Sequence, residues 1–192
     1  MVDFEKLDRE SPPESGGVLF LGSSSIRRWD LERWFPGRDL TNRGFGGSQI
    51  ADSIRHFERL VVPHRPRSLF FYAGDNDIAA GKTAEAVAAD FATLSGLVRS
   101  RSPETRFWFI AIKPSLSRWQ LWPVMKEANR RIAEACRHDP MLEYVDIVAP
   151  MLGGDGKPLP ELFVDDGLHL TDAGYRTWTE IIAPLLGEPS DS

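Results

Sequence analysis

Three stretches of the chain are apolar without interruption: VLFL at 18–21, LFFYA at 69–73 and FWFIAI at 107–112. A strand with one wet face alternates apolar and polar residues, so an unbroken apolar strand has to be covered on both faces. That is the condition of a strand inside a parallel sheet. Between these stretches the apolar spacing changes to three or four residues, as in Ala84, Val87, Ala88, Phe91, Leu94 and Val98, or Met125, Ala128, Ile132 and Cys136. Strands that alternate with helices along one chain form βαβ units, whose crossover helices supply the cover.

Two further strand segments are less apolar. DLTN at 39–42 is short and polar, and LEYVDI at 142–147 carries Glu143 and Asp146. Such strands suit the sheet edges, with 18–21, 68–73 and 106–112 in the centre. This predicts a five-stranded parallel sheet of order 2-1-3-4-5, doubly wound and flavodoxin-like, in a three-layer α/β/α sandwich. Tyr175, Trp178, Ile182 and Leu185 mark a last helix, capped by Thr171 or Asp172 and disturbed at its end by Pro184. Cys136, on an apolar helical face, reads as core. No repeat or low-complexity linker interrupts the pattern, so a single domain over residues 1–187 is expected, with 188–192 as a frayed tail.

Composition removes several classes of function. A chain of 192 residues is long enough to bury about 70% of its unfolded surface. The net charge of −5 offers no basic footprint for nucleic acid. A single cysteine allows neither an internal disulfide nor a cysteine zinc site. No signal-peptide pattern opens the chain and no run approaches 18 apolar residues, so the expectation is a cytoplasmic protein without stable membrane insertion.

In an open parallel sheet, ligands bind outside the carboxyl ends of the strands. Four loops fall there by this reading: GSSS at 22–25, NRGFGGS at 42–48, AGDND at 73–77 and FVDDGLHL at 163–170. Each alone has a structural explanation. A serine entering a helix is commonly an N-cap, Gly46-Gly47 suits a turn with positive φ, and Asn76 suits an Asx-turn. DND lacks the remaining ligands of a calcium loop. His56, His64 and His138 lie in helical or pre-strand contexts and read as structural. Together, however, the four loops hold a hydroxyl, a base, a carboxylate to orient it and donors for an oxyanion, which is the inventory of nucleophilic acyl transfer. Asp166 and His169 are three residues apart, close enough for the carboxylate to hold one imidazole nitrogen while the other faces a serine. Asp165, four residues from His169, competes for that role.

FLGSSSI, NRGFGGS, AGDND and DDGLHL, in this order, resemble the four sequence blocks of the SGNH hydrolases, the GDSL esterase/lipase family, over residues 18 to 175. The resemblance implies a serine nucleophile two residues after the first-block glycine, at Ser24. It implies an oxyanion hole from the backbone of Ser24 and Gly47 and the side-chain amide of Asn76, with Asp166 and His169 completing a triad. One departure is visible: Ser23 stands where the family has aspartate between glycine and nucleophile. Ser23 and Ser25 are then left to cap the turn. The implied activity is hydrolysis of a small-molecule carboxylic ester, with short acyl or acetyl groups favoured because no long apolar lid segment is present. No metal or cofactor is required. Trp119, Trp122 and Phe45 are candidates for a pocket wall, the tryptophans equally for core packing. Two alternatives remain: a flavodoxin-like protein holding an FMN phosphate at GSSS, and a ligand-binding relative without catalysis.

Overall fold

The computed structural model describes residues 4–10 and 15–187, the side chain of Glu5 excepted. The tail expected at 188–192 lies outside the described residues. Five strands, β1 (Val18–Gly22), β2 (Leu40–Gly44), β3 (Ser68–Tyr72), β4 (Arg106–Ile110) and β5 (Leu142–Val145), form one sheet of order β2-β1-β3-β4-β5. Every pairing is parallel. All five residues of β1 are buried, whereas β2 and β5 are partly open, which is the distribution their polarity dictates.

The helices in chain order are α1 (Phe4–Glu10), α2 (Ser24–Arg27), α3 (Leu31–Trp34), α4 (Ile50–Arg55), α5 (Phe57–Leu60), α6 (Asp75–Ala79), α7 (Ala84–Arg101), α8 (Trp122–Cys136) and α9 (Asp172–Ile182). They bury the sheet from both sides. On one face Leu19, Phe71 and Phe109 meet Phe91 of α7, Met125 of α8 and Ile50 of α4. On the other, Phe20, Phe70 and Trp108 meet Trp29, and Tyr175 and Trp178 of α9. Strand register places Phe20 beside Phe70 and Phe70 beside Trp108. Their rings stack in a row with centroids 5.0 and 5.4 Å apart, each pair worth about 0.5–1.5 kcal/mol beyond the area it buries.

Local chemistry sets the element ends. β1 and β2 run on to Gly22 and Gly44, while β4 stops at Ile110 rather than continuing to 112. The Asn129 side chain of α8 accepts from the Ile112 N–H at 2.8 Å and donates to its carbonyl at 2.9 Å, satisfying that backbone without a strand. Asp146 takes the Val148 N–H at 2.8 Å and turns the chain after β5. Of the two candidates for the α9 cap it is Thr171 that accepts from Gly174, and Asp172 pairs with Arg33 instead. Past Ile182 the chain tightens into a 3₁₀ turn at Ala183–Leu186, containing Pro184. Cys136 is buried, and burial pushes its thiol up to about 12. Among the described residues no helix is long and apolar enough to cross a membrane.

Candidate active site

The tip of β1 is a close approach between two strands. A Cβ on Gly22, whose φ is +146°, would stand 2.0 Å from the Tyr72 carbonyl of β3, so only glycine lets the chain turn there. That same carbonyl accepts the Ser23 N–H at 2.9 Å, and α2 begins at the next residue. Ser24 is thereby lifted to the carboxyl edge of the sheet. The tip is held from below by Tyr175 of α9, whose hydroxyl donates to the Ser25 carbonyl at 2.9 Å. Asn42 of β2 donates to the Ile26 and Trp29 carbonyls.

The last loop crosses this edge. An isolated bridge between Phe163 and Leu170 pinches it, and the Val164 N–H donates to the His169 carbonyl. Inside the pinch, one Asp166 oxygen accepts from the backbone N–H groups of Leu168 and His169, both at 2.8 Å. The other lies 2.5 Å from His169 Nδ1, and His169 Nε2 lies 2.9 Å from Ser24 Oγ. Partial burial disfavours the Asp166 carboxylate, but the hydrogen bonds from the His169 ring and the two backbone groups outweigh it and hold the carboxyl below its ordinary range. An ionised carboxylate only accepts, so Nδ1 carries the ring proton and Nε2 is left as acceptor for the serine hydroxyl. Asp165, the competing acid, is exposed and makes no hydrogen bond to the ring.

Across from this chain of hydrogen bonds stand Gly47 and Asn76. Gly47, in the turn after β2, has a φ of +74°. Asn76 lies in α6, its Nδ2 donating to the Ser48 carbonyl at 2.9 Å and its Oδ1 accepting from Arg118 at 3.0 Å. These two bonds fix which end of the amide is which, and the second hydrogen on Nδ2 remains for a ligand. Among the described residues neither the Ser24 nor the Gly47 backbone N–H has a protein acceptor. Buried Asp77 accepts from the Ile50 N–H at the start of α4 and from Lys82, tying the two donor loops together.

An open cleft of about 410 Å³ joins these groups, lined by Ser24, Gly46, Gly47, Asn76, Leu168 and His169 together with Arg27, Arg28 and Arg118. The proposed wall residues are elsewhere. Phe45 and Trp122 pack against the apolar core, and Trp119 stacks on Trp122 with centroids 6.1 Å apart. The capping expectation for the flanking serines is also corrected. Ser23 occupies the N-cap position of α2, but its hydroxyl makes no capping bond and is buried without a partner among the described residues. Ser25 Oγ faces the interior, 3.3 Å from Lys113 Nζ.

Lys113 went unread in the sequence. It is fully buried, and besides Ser25 it reaches Tyr72 Oη at 3.0 Å and Asp75 at 3.2 Å. Arg118 pairs with the same Asp75 oxygen at 3.2 Å. Burial pulls the Lys113 ammonium below its ordinary range, with Asp75 opposing. Burial works to raise Asp75, and Lys113 and Arg118 more than reverse it. The signal for both cations was their position in KPSLSRWQLW, the loop that leaves β4 at the same edge. Arg27 and Arg28 were likewise legible as the third and fourth residues after Ser24.

A family model for the GDSL-like lipase/acylhydrolase family matches residues 21–177. No curated protein matches the chain in sequence. Among solved structures, the chain is similar to a candidate platelet activating factor protein from Streptococcus pneumoniae, at 20% identity, TM-score 0.84, with 95% of this chain and 89% of that chain covered. A candidate acylhydrolase from Bacteroides fragilis gives 18% identity and TM-score 0.82, covering 96% and 94%. An acetyl-xylooligosaccharide esterase from a Geobacillus gives 16% and 0.70, covering 92% and 97%. At these identities the likeness establishes the fold.

Proposed function

The chain belongs to the GDSL-like lipase/acylhydrolase family, and on that premise we propose that it hydrolyses carboxylic esters through an acyl-enzyme on Ser24. The observation that carries this reading is the unbroken hydrogen-bond chain from Asp166 through His169 to Ser24, at 2.5 and 2.9 Å. Ser24 Oγ attacks the ester carbonyl carbon as its proton passes to His169 Nε2. The carbonyl electrons move onto oxygen, where the backbone N–H groups of Ser24 and Gly47 and the Asn76 amide receive the charge. Collapse of this intermediate breaks the bond to the alcohol, which leaves with the proton from Nε2. Water then attacks the acyl-enzyme by the same proton path and returns Ser24 and His169 to their starting states. Asp166 holds the ring in the required tautomer and stabilises the transient imidazolium.

Among the described residues Leu168 is the only large apolar side chain lining the cleft, which favours acetyl and other short acyl groups over long chains. A phosphate cradle at GSSS is disfavoured by the same geometry: Ser23 and Ser25 are buried and the Ser24 hydroxyl faces His169. The test is hydrolysis of nitrophenyl esters from acetyl to decanoyl, with labelling by a serine-directed phosphonate. Ser24→Ala is expected to lose about 10³-fold or more in kcat and all labelling, with the acetyl ester turned over fastest. Ser23→Ala and Ser25→Ala retain the label. Labelling that persists in Ser24→Ala, or an absence of hydrolysis across the series, would overturn the proposal.

A further inference from the structure

Of the nine residues around the cleft, three are arginines and none is an acid. This runs against the chain as a whole, whose net charge is −5. Several arginines elsewhere on the surface have carboxylate partners, as in Arg33 with Asp172, Arg101 with Glu58 and Arg106 with Glu143, and Arg38 and Arg67 donate to backbone carbonyls. Arg118 is committed too, to Asp75 and Asn76. Arg27 and Arg28 differ. Both are exposed, and among the described residues neither has a carboxylate partner.

The backbone nonetheless places both, and a second contact seats Arg27. Arg27 ends the single turn of α2 and Arg28 caps it, the Arg28 N–H bonded to the Ser24 carbonyl at 3.0 Å, so their side chains start one turn from the reacting hydroxyl. The Arg27 guanidinium lies against Gly46, where a Cβ would stand 3.1 Å from its Cζ, so the bare backbone of the loop bearing Gly47 gives it a seat. A guanidinium offers a planar fork of N–H donors that matches carboxylate and phosphate oxygens, and inside a cleft its field is focused on whatever enters.

We propose that the esters this site takes carry an anionic group, a carboxylate or a phosphate, close to the scissile bond, bound by Arg27 and Arg28. The inference rests on the esterase reading of the same cleft and names its substrate class. The charge draws a substrate that the rest of the protein repels, and selects it over neutral esters of equal size.

The experiment compares three acetates of one framework: 4-acetoxybenzoate, its neutral methyl ester and 4-acetoxyphenyl phosphate. The expected kcat/KM is at least tenfold higher for one or both anions than for the methyl ester, and the better anion tells carboxylate from phosphate. In the Arg27→Gln/Arg28→Gln double variant the anion-to-neutral ratio falls about tenfold, and rising salt lowers it in the wild type. Calorimetry with Ser24→Ala protein gives a reading independent of turnover: the preferred anionic ester binds about tenfold more tightly than the methyl ester, and loses that margin when both arginines are replaced. Equal kcat/KM for anionic and neutral esters, or a ratio unmoved by the double variant, would overturn the proposal and leave the esterase reading intact. Arginine-dependent binding of the anion without hydrolysis of any ester would overturn the esterase reading and leave the anion site standing.

Discussion

Asn76 has two neighbours that decide what it can do. Arg118 donates to its Oδ1 and the Ser48 carbonyl takes one Nδ2 hydrogen, so the amide cannot rotate without losing both bonds. An oxyanion donor helps catalysis to the extent that it is aimed before the charge develops, because then no reorganisation is needed at the moment of reaction. Asn76→Asp keeps the size and the acceptor for Arg118, removes the donor to both the oxyanion and the Ser48 carbonyl, and sets a negative charge beside the one that develops. It is expected to lower kcat for ester hydrolysis by about 10²–10³, with a smaller change in KM, since the lost bond is made to the transition state. A kcat within about threefold of wild type would remove Asn76 from the reaction. The corresponding Asn76→Ala variant, which like Asn76→Asp loses the bond to the Ser48 carbonyl, also releases Arg118, so any further loss it shows over Asn76→Asp measures what Arg118 contributes to positioning the loop.

At the scale of elements, the site is a junction of three strand ends, those of β1, β3 and β4, held by one buried cation. Lys113 leaves β4, Tyr72 ends β3, Asp75 opens α6 and Ser25 lies in α2, and the Lys113 ammonium touches all three of the others. Removing one partner of a buried charged pair leaves the other uncompensated, at a cost of about 3–5 kcal/mol. Lys113→Met is therefore expected to lower the unfolding free energy by about that amount in a urea titration, less whatever Arg118 recovers by pairing with Asp75. A loss below about 1 kcal/mol would mean that the pair contributes little to stability. This junction was the part of the protein least legible in the sequence. Strand order followed from the polarity of DLTN and LEYVDI, and the three loops of small and polar residues that follow strands could be placed on one edge by topology, whereas the last loop had to fold back over the first strand to join them. The burial of Lys113 and Arg118 could not be read in this way, because a charged side chain in a loop reads as solvated until tertiary packing closes around it. For the tryptophans the sequence left pocket wall and core packing equally open, and packing decides it: Trp119 stacks on Trp122, and Trp122 packs against the core.

For the molecule as a whole, a histidine remote from the cleft is expected to contribute to acid sensitivity. His64, just before β3, is 3% exposed, and neither ring nitrogen has a protein hydrogen-bond partner among the described residues. Burial first, then repulsion from Arg43, lower its pKa to about 4 against the partial opposition of Asp8. Arg43 and Asp8 are themselves the clasp that holds α1: they pair with each other, and the guanidinium sits 5.0 Å over the ring of Phe4. The direction of the linkage follows from the two protonation equilibria. In the unfolded chain an imidazole takes up a proton near pH ~6.5, whereas in the folded protein His64 refuses it until about pH 4. Between these values the unfolded state binds more protons, so stability is whole above pH ~6.5 and is lost as pH falls toward 4, by about 3 kcal/mol if His64 acted alone. The Asp77 carboxyl, raised by burial, works in the other direction, since its protonation on acidification relieves a penalty. The contribution of His64 is therefore best read as a difference between proteins. Denaturant titrations at pH 7 and pH 5 are expected to show a wild-type loss about 2 kcal/mol larger than that of His64→Phe, in which an uncharged ring fills the same space. Equal losses in the two proteins would mean that His64 meets its proton in the folded state, and that the acid sensitivity of this fold comes from its carboxylates.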